Sequence, residues 1–175
     1  DIEAIAVVCL EGWETVLRSY ANQFSITKLR WIFKGGETGM ESIHNGIYGL
    51  KAEGCNDDDL ILVHDGVRPL VSQDIISSNI ATCKRFGNAI TGIQCREAIL
   101  VSDDGFNAEK SIPRDKLIRT QTPHPFPLGE LLAAHEAAKQ RGITNSVATC
   151  TLMAELGGHK MYIVPGSERN IKITT

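Results

Sequence analysis

The stretch L-I-L-V-H-D-G-V-R-P-L, residues 60–70, decides the fold class of this chain. It opens with an uninterrupted apolar run that stops at His64. A short, wholly apolar run is typical of a central parallel strand that helices cover on both faces. Ligands of such sheets bind beyond the carboxyl ends of the strands, where residues 64–69 would lie. The stretch therefore predicts an α/β domain with a ligand site at this strand end.

Strand-like runs and helix-period segments alternate on both sides of this stretch, as in other α/β chains. The predicted strands are residues 2–9, 28–34, 60–64, 88–94, 161–164 and 171–174. The predicted helices are residues 13–21, a segment with Ile43, Ile47 and Leu50 on one face, a segment from about Ser72, residues 128–140 and residues 145–155. With 42% hydrophobic and 22% charged residues, the whole chain, residues 1–175, is predicted to be a single domain.

Residues 95–122 lose this periodicity and are predicted to project from the domain as an arm. Within them, Asp103, Asp104 and Gly105 are typical of a turn, here between two weak strands. We therefore treat residues 95–122 as an arm within the single domain.

Composition excludes some classes of partner. A net charge of -3 and a pI near 6.0 disfavour binding to nucleic acid, since neutralising its phosphates needs a basic surface. The five cysteines are odd in number and include no C-x-x-C pair, which predicts free thiols in a reducing compartment. No apolar stretch approaches the roughly 18 to 20 residues of a membrane span. We expect a cytoplasmic protein without a membrane partner.

The turn after the central strand carries the first candidate site. Asp65 could hold Mg²⁺, because carboxylates bind hard divalent cations, and the planar fork of Arg68 suits phosphate. Gly66 would let the backbone approach a ligand closely. A strand-ending turn with a surface ion pair explains the same residues equally well, so the residues alone leave both interpretations open.

Three further parts of the chain allow a functional and a structural interpretation. The loop 35–39 lies between a strand and a helix, where backbone N–H groups can receive an anion, but it matches neither phosphate-binding glycine motif. Alone, it favours an ordinary turn with a helix cap. Lys172 could reach a phosphate, although most strand lysines face water. The polar stretch 119–125 could bond a ligand or cap the next helix, and His124 within it is not expected to be a metal ligand.

Four motifs in this order resemble a known family. They are G-G-E-T-G-M-E-S-I-H-N-G-I (35–47), V-H-D-G-V-R-P-L (63–70), R-T-Q-T-P (119–123) and N-I-K-I-T-T (170–175). They resemble the CTP-dependent cytidylyltransferases of small polyol phosphates, which include the 2-C-methyl-D-erythritol 4-phosphate and ribitol 5-phosphate enzymes. The resemblance covers residues 2–175. It implies a Rossmann-like three-layer sandwich of the nucleotide-diphospho-sugar transferase type, with a mostly parallel central sheet and a projecting β-arm.

The resemblance also assigns roles, with CTP and a polyol phosphate as partners and Mg²⁺ as cofactor. Asp65 would bind the metal, Arg114 in the arm would grip the acceptor phosphate across a homodimer interface, and Lys172 would position the same substrate. The remaining implied binding residues are Gly36, Glu37, Ser42, Gly66, Arg68, Thr122 and Thr144. The implied reaction is in-line attack of the acceptor phosphate on the α-phosphorus of CTP, with release of pyrophosphate.

Departures from the family pattern bear on turnover and on the acceptor. Nothing in the chain matches the family's N-terminal strand with its glycine-rich loop, or its C-terminal helix, so we expect these 175 residues alone to turn over little. Gly39, Ala98 and Asn145 depart from residues usual in the methylerythritol enzymes. These departures weaken a strict methylerythritol assignment and leave both acceptors open. Two alternatives also remain: a sugar-phosphate nucleotidyltransferase that uses another nucleotide, and a catalytically degenerate nucleotide-binding module.

Overall fold

The computed structural model describes residues 2–158 and 160–174. Helices and strands alternate along most of the described chain, which confirms the α/β class. The strands are β1 (Ile5–Cys9), β2 (Leu29–Lys34), β3 (Leu60–Val63), β4 (Ile90–Gln94), β5 (Ile99–Val101), β6 (Lys110–Ile112), β7 (Ile118–Thr120), β8 (His124–Pro127) and β9 (Ile163–Pro165). The helices are α1 (Glu14–Gln23), α2 (Gly39–Ala52), α3 (Gln73–Phe86), α4 (Leu128–Gln140) and α5 (Thr149–Leu156).

The strands pair in both directions. β1 lies parallel to β2, and β4 lies parallel to β9. β4 also pairs antiparallel with β7, and β3 pairs antiparallel with β8. Residues 60–64 were predicted to form a parallel strand. In the described structure β3 pairs only with β8, and this pairing is antiparallel, so the predicted direction was wrong. Among the described residues, the β7–β4–β9 sheet combines both directions.

Strand β8 was not predicted, because its sequence H-P-F-P looks unlike a strand. Proline has no N–H to donate to a ladder, so it is confined to positions where no donor is needed. Here the strand nevertheless pairs from His124 opposite Val63 to Pro127 opposite Leu60. This pairing places residue 122 beside the end of β3, which matters for the site described below.

The helix boundaries follow from local side-chain chemistry. Thr38 caps α2, since its hydroxyl accepts a hydrogen bond from the Glu41 backbone N–H at 3.1 Å, and Ser72 caps α3 in the same way. Gly87 ends α3 with φ near 90°, a conformation that favours glycine. The helix predicted at residues 145–155 begins only at Thr149, because the Ser146 hydroxyl bonds the side chain of Thr151 and holds the preceding residues in a loop.

The core lies between α2, α4, α5 and the β3–β8 pair. Its fully buried members share large apolar side chains: Phe126, Leu128, Leu131, Leu152 and Met153. Ile47 and Leu50 of α2 are buried as the helical spacing predicts. A core of this kind fixes β3 and β8 against two helices, and therefore fixes the turn at the end of β3.

Residues 99–112 form an antiparallel hairpin, in which Ile99 pairs with Ile112. Asp104 closes its tip by accepting hydrogen bonds from the backbone N–H groups of Phe106 and Asn107, and these bonds lower the pKa of Asp104 to about 2. The predicted turn between two weak strands is confirmed.

The predicted strand at 171–174 was wrong. These residues form no ladder, and the Ile173 N–H instead donates to the Val67 carbonyl oxygen at 2.8 Å. Thr175, which ends the last motif, lies outside the described residues. No helix in residues 2–158 and 160–174 is both long enough and apolar enough to cross a membrane.

Two buried histidines make the fold sensitive to acid. His124 on β8 is 1% exposed and His135 on α4 is 5% exposed. Burial disfavours the charged imidazolium, and it lowers the pKa of each side chain from 6.5 to about 4. The folded protein therefore holds both rings neutral at a pH at which the unfolded chain would protonate them.

We expect the free energy of unfolding to fall as the pH drops from 6.5 to about 4, because the unfolded state then binds more protons than the folded state. Replacing His135 by Leu removes one of these groups and should make the fall shallower, by at most about 1.4 kcal/mol per pH unit. Urea denaturation of both proteins across this range measures the difference. Equal slopes would show that His135 does not carry this dependence.

Candidate functional site

Asp65 lies two residues beyond the end of β3 and receives two cations on one carboxylate oxygen. Its Oδ2 lies 3.1 Å from Arg68 Nε and 3.2 Å from Lys172 Nζ. The three residues come from two segments far apart in the chain. The structure thus brings together three of the predicted site residues in one group, which we call the Asp65 cluster: Asp65, Arg68 and Lys172.

Arg68 is the buried member of the cluster, with 9% of its surface exposed. Besides the ion pair with Asp65, its Nη1 donates to the Asn170 carbonyl oxygen at 2.7 Å. A turn bond from the Arg68 N–H to the Asp65 carbonyl oxygen, 2.9 Å, folds the two residues toward each other. The ion pair is therefore partly buried and hydrogen-bonded on both sides, unlike the surface pair that the sequence left open.

Lys172 is the exposed cation of the Asp65 cluster, with 46% of its side-chain surface accessible. Its side chain is partly exposed and also pairs with Asp65. The sequence offered a lysine that faces water or one that reaches a phosphate, and the structure shows features of both. An ammonium group on a flexible stem can exchange one anionic partner for another at little cost. Its place beside Asp65 allows it to reach an anion that enters the same space.

Thr122 is also brought to this cluster, but its hydroxyl is already used within the protein. Thr122 Oγ1 accepts from the Asp65 backbone N–H at 3.0 Å and lies 3.0 Å from His64 Nδ1. His64 Nε2 lies 3.1 Å from the Arg68 carbonyl oxygen, which can only accept, so in the neutral ring Nε2 donates to this oxygen and Nδ1 accepts from Thr122. The hydroxyl of Thr122, buried at 7% exposure, therefore orients the turn that carries Asp65.

Gly66 lies in the same turn and faces open space. A Cβ atom built on it would meet no atom within 4 Å. The turn is therefore open above Gly66, and a ligand could approach its backbone there without a side chain in the way. This agrees with the sequence expectation for Gly66, which remains a prediction.

The loop 35–38 forms a second polar group at the end of β2. The Gly36 N–H donates to Ser42 Oγ at 3.1 Å, and the Glu37 N–H donates to Glu41 Oε2 at 2.7 Å. These two bonds close the loop ahead of α2, and the Thr38 hydroxyl accepts from the Glu41 N–H, one of the N–H groups that the helix leaves without a backbone partner. The turn and the helix cap of the structural interpretation are present, and a binding role for Gly36, Glu37 and Ser42 stays a prediction.

Arg114 lies apart from both groups. It lines an open hollow of about 500 Å³ at the base of the hairpin, together with Gln94, Cys95, Arg96 and Asp115. Its Nη1 donates to the Arg96 carbonyl oxygen at 2.7 Å, and its own carbonyl oxygen accepts from Gln94 Nε2 at 2.9 Å. Within one chain, none of its described hydrogen bonds or ion pairs reaches the Asp65 cluster.

Thr144 lies apart from the other predicted site residues. It is exposed in the loop between α4 and α5, and no side-chain hydrogen bond of Thr144 is found in the described structure. The predicted site therefore divides into the Asp65 cluster with Thr122 and Gly66, the loop of Gly36, Glu37 and Ser42, the hollow of Arg114, and Thr144 alone.

Sequence reasoning missed the residues that hold the cluster. Gln121 and Asn170 are buried at 7% and 0% exposure, and Asn170 Nδ2 donates to the Thr122 carbonyl oxygen at 2.9 Å. The sequence shows that both residues are amides within the recognised motifs. It does not show that they are buried, because burial depends on segments far away in the chain. His64 was seen as the end of a strand and not as the partner of Thr122.

The fold is of the α/β class, and its site places a carboxylate and two cations at a strand end. This arrangement is suited to an enzyme that acts on phosphorylated substrates. The family model described as IspD, 2-C-methyl-D-erythritol 4-phosphate cytidylyltransferase, matches residues 2–175. The chain belongs to this family of cytidylyltransferases.

Individual relatives carry two different acceptor names. The ribitol-5-phosphate cytidylyltransferase of Lacticaseibacillus paracasei is 35% identical over 176 residues, covering 99% of this chain and 74% of the relative. The 2-C-methyl-D-erythritol 4-phosphate cytidylyltransferase of Clostridium acetobutylicum is 34% identical, covering 99% and 73%. The solved 4-diphosphocytidyl-2C-methyl-D-erythritol synthase of Anaerococcus prevotii superposes with a TM-score of 0.83 at 23% identity, covering 99% and 77%.

Proposed function

We propose that this protein transfers CMP from CTP to ribitol 5-phosphate and releases pyrophosphate. The observation that carries the proposal is the Asp65 cluster, in which one carboxylate holds two cations at an open strand end. Family membership supports CTP as the nucleotide over UTP or GTP. Relatives named ribitol-5-phosphate cytidylyltransferase, together with Gly39, Ala98 and Asn145, favour ribitol 5-phosphate over methylerythritol phosphate.

In the proposed reaction, a phosphate oxygen of the acceptor attacks the α-phosphorus of CTP. The bond from that phosphorus to the oxygen bridging the β-phosphate breaks, and pyrophosphate leaves with the bonding electrons. The protein contributes position and charge, since no covalent enzyme intermediate is needed. Lys172 would neutralise the acceptor phosphate, and Arg68 would keep Asp65 in place beneath it.

The donor set fits Mg²⁺. None of the described residues forms a group of three or more His, Cys, Asp or Glu side chains able to hold a metal. Mg²⁺ bound to nucleotides commonly needs only one or two carboxylates, because phosphates and water fill the other positions. Asp65 could supply one such ligand through Oδ1, since the two cations both bind Oδ2. When bound, Mg²⁺ would neutralise the charge of the triphosphate.

We also propose that the domain is a three-layer sandwich from which residues 95–122 project as an arm. Two chains would form a homodimer through this arm. The hairpin exposes apolar side chains, with Phe106 at 90% and Leu100 at 63% exposure. Within the described residues of one chain, no hydrogen bond or ion pair joins Arg114 to the Asp65 cluster, so a partner chain would have to bring it to the acceptor phosphate. The five free cysteines support the reducing cytoplasm as the location.

The acceptor is tested by pyrophosphate release from the full-length protein with CTP and Mg²⁺. Ribitol 5-phosphate and 2-C-methyl-D-erythritol 4-phosphate are offered in parallel, and UTP and GTP replace CTP in control reactions. We expect a higher kcat/KM with ribitol 5-phosphate. A preference for the methylerythritol substrate would reverse the acceptor assignment, and no release with either would contradict the enzymatic function.

The metal role is tested by replacing Asp65 with Asn, which keeps the shape but removes the charge. We expect turnover at saturating Mg²⁺ to fall by on the order of 100-fold or more, because a preorganised electrostatic contact is lost. Asp58→Asn is the matched control, since Asp58 is an exposed carboxylate on the preceding loop. Circular dichroism checks the fold of both variants. Turnover of the Asp65 variant at the control level would remove Asp65 from the mechanism.

The role of Arg114 is tested by replacing it with Ala, which should raise the acceptor KM and leave the KM for CTP unchanged. Mixing this variant with Asp65→Asn and refolding them together yields hybrid dimers. One site of each hybrid then combines an intact Asp65 with the partner's intact Arg114. Recovery of activity is expected. If the mixture stays as weak as the two variants alone, Arg114 does not act across the dimer.

A further inference from the structure

The segment that carries Lys172 has no regular structure to hold it. Residues 166–173 lie outside the helices and strands. In a strand, ladder hydrogen bonds would fix the direction of every second side chain, but here they are missing. The position of Lys172 must therefore be set by other contacts.

Gln121 provides the first of these contacts. Its side chain pairs with the backbone of Ser167 as a neighbouring strand would: Nε2 donates to the Ser167 carbonyl oxygen at 2.8 Å, and Oε1 accepts from the Ser167 N–H at 3.2 Å. The fit is close, since a Cβ atom on Gly166 would overlap Gln121 Oε1. The side-chain amide of Gln121 thus joins the residue after β7 to the backbone of the segment that carries Lys172.

Asn170 provides the second contact, and it links the segment to the Asp65 cluster. It is fully buried, and its Nδ2 donates to the Thr122 carbonyl oxygen at 2.9 Å and to Gln121 Oε1 at 3.4 Å. Its own carbonyl oxygen receives Arg68 Nη1. Asn170 is therefore bonded through its side chain to Thr122, just before β8, and through its backbone to the turn after β3.

Lys172 follows Asn170 by two residues, and the next residue is fixed again. The bond from the Ile173 N–H to the Val67 carbonyl oxygen closes the segment onto the turn. We propose that Gln121 and Asn170 form a clamp that positions Lys172 for the acceptor phosphate. They are positioning residues, and the inference rests on the proposed function for the task of Lys172.

An exposed ion pair on the same segment offers a matched control. Arg119 Nη2 lies 2.8 Å from Glu168 Oε1, and both side chains are about half exposed or more. Exposed pairs contribute little, because water screens them and holding two long side chains costs entropy. Removing Glu168 therefore perturbs the same segment without touching the buried clamp.

The kinetic test compares Asn170→Ala, Gln121→Ala and Glu168→Ala in the full-length protein. Each clamp variant should lower the acceptor kcat/KM by roughly 10- to 100-fold through misplacement of Lys172, with an unchanged KM for CTP. Glu168→Ala should match the wild type. In a Lys172→Ala background, Asn170→Ala should cause no further loss. An equal loss in both backgrounds would mean that Asn170 does not act through Lys172 and would overturn the proposal.

A second measurement does not depend on the reaction. Amide hydrogen exchange of Ile173, read by NMR, should be at least about tenfold faster in both clamp variants than in the wild type or Glu168→Ala. Unchanged exchange would overturn the clamp even if activity fell. If the wild type releases no pyrophosphate with any acceptor, the proposed function fails, and the exchange rates alone decide the clamp. If one clamp variant does not fold, the other carries the test.

Discussion

The hydrogen bond from Arg68 Nη1 to the Asn170 carbonyl oxygen is the contact on which the site depends. It joins the turn after β3 to a segment a hundred residues later, inside the protein, while Nε of the same guanidinium holds Asp65. Burying the guanidinium of Arg68 costs free energy, and its bonds to Asp65 and to the Asn170 carbonyl oxygen together offset that cost. Loss of either bond would leave a buried charge with an unsatisfied donor. One side chain thereby sets the distance between the carboxylate and Lys172.

The core supplies the rigidity that this arrangement needs. β3 and β8 pair along four positions, and α4 packs against β8 through side chains that are fully buried. Thr122, just before β8, can therefore orient the Asp65 backbone through a short bond, since neither strand can shift without disturbing the core. The polar site is precise because the apolar layer beneath it is close-packed.

Sequence patterns predicted the α/β class, the helices α1 to α4 within a few residues, and the hairpin turn at Asp104. They failed where local chemistry does not determine the result. β8 carries two prolines and gains its strand conformation only by pairing with β3, and Ile171–Thr174 looks like a strand but finds no ladder. The meeting of Asp65, Arg68 and Lys172 followed from the resemblance to a family. The roles of Gln121 and Asn170 could not be predicted, because burial of an amide depends on distant segments.

The two cations on Asp65 differ in what they can do when a substrate arrives. Arg68 is buried and bonded to the backbone, so it cannot leave Asp65 without exposing unsatisfied groups. Lys172 is half exposed and holds Asp65 by a single ion pair, so an incoming phosphate can take it at little cost. Departure of Lys172 would leave Asp65 with one cation instead of two, which makes its carboxylate a better ligand for a divalent metal. If Asp65 holds Mg²⁺ and Lys172 the acceptor phosphate as proposed, binding of the two ligands at this strand end would favour each other, although each would contact a different member of the cluster.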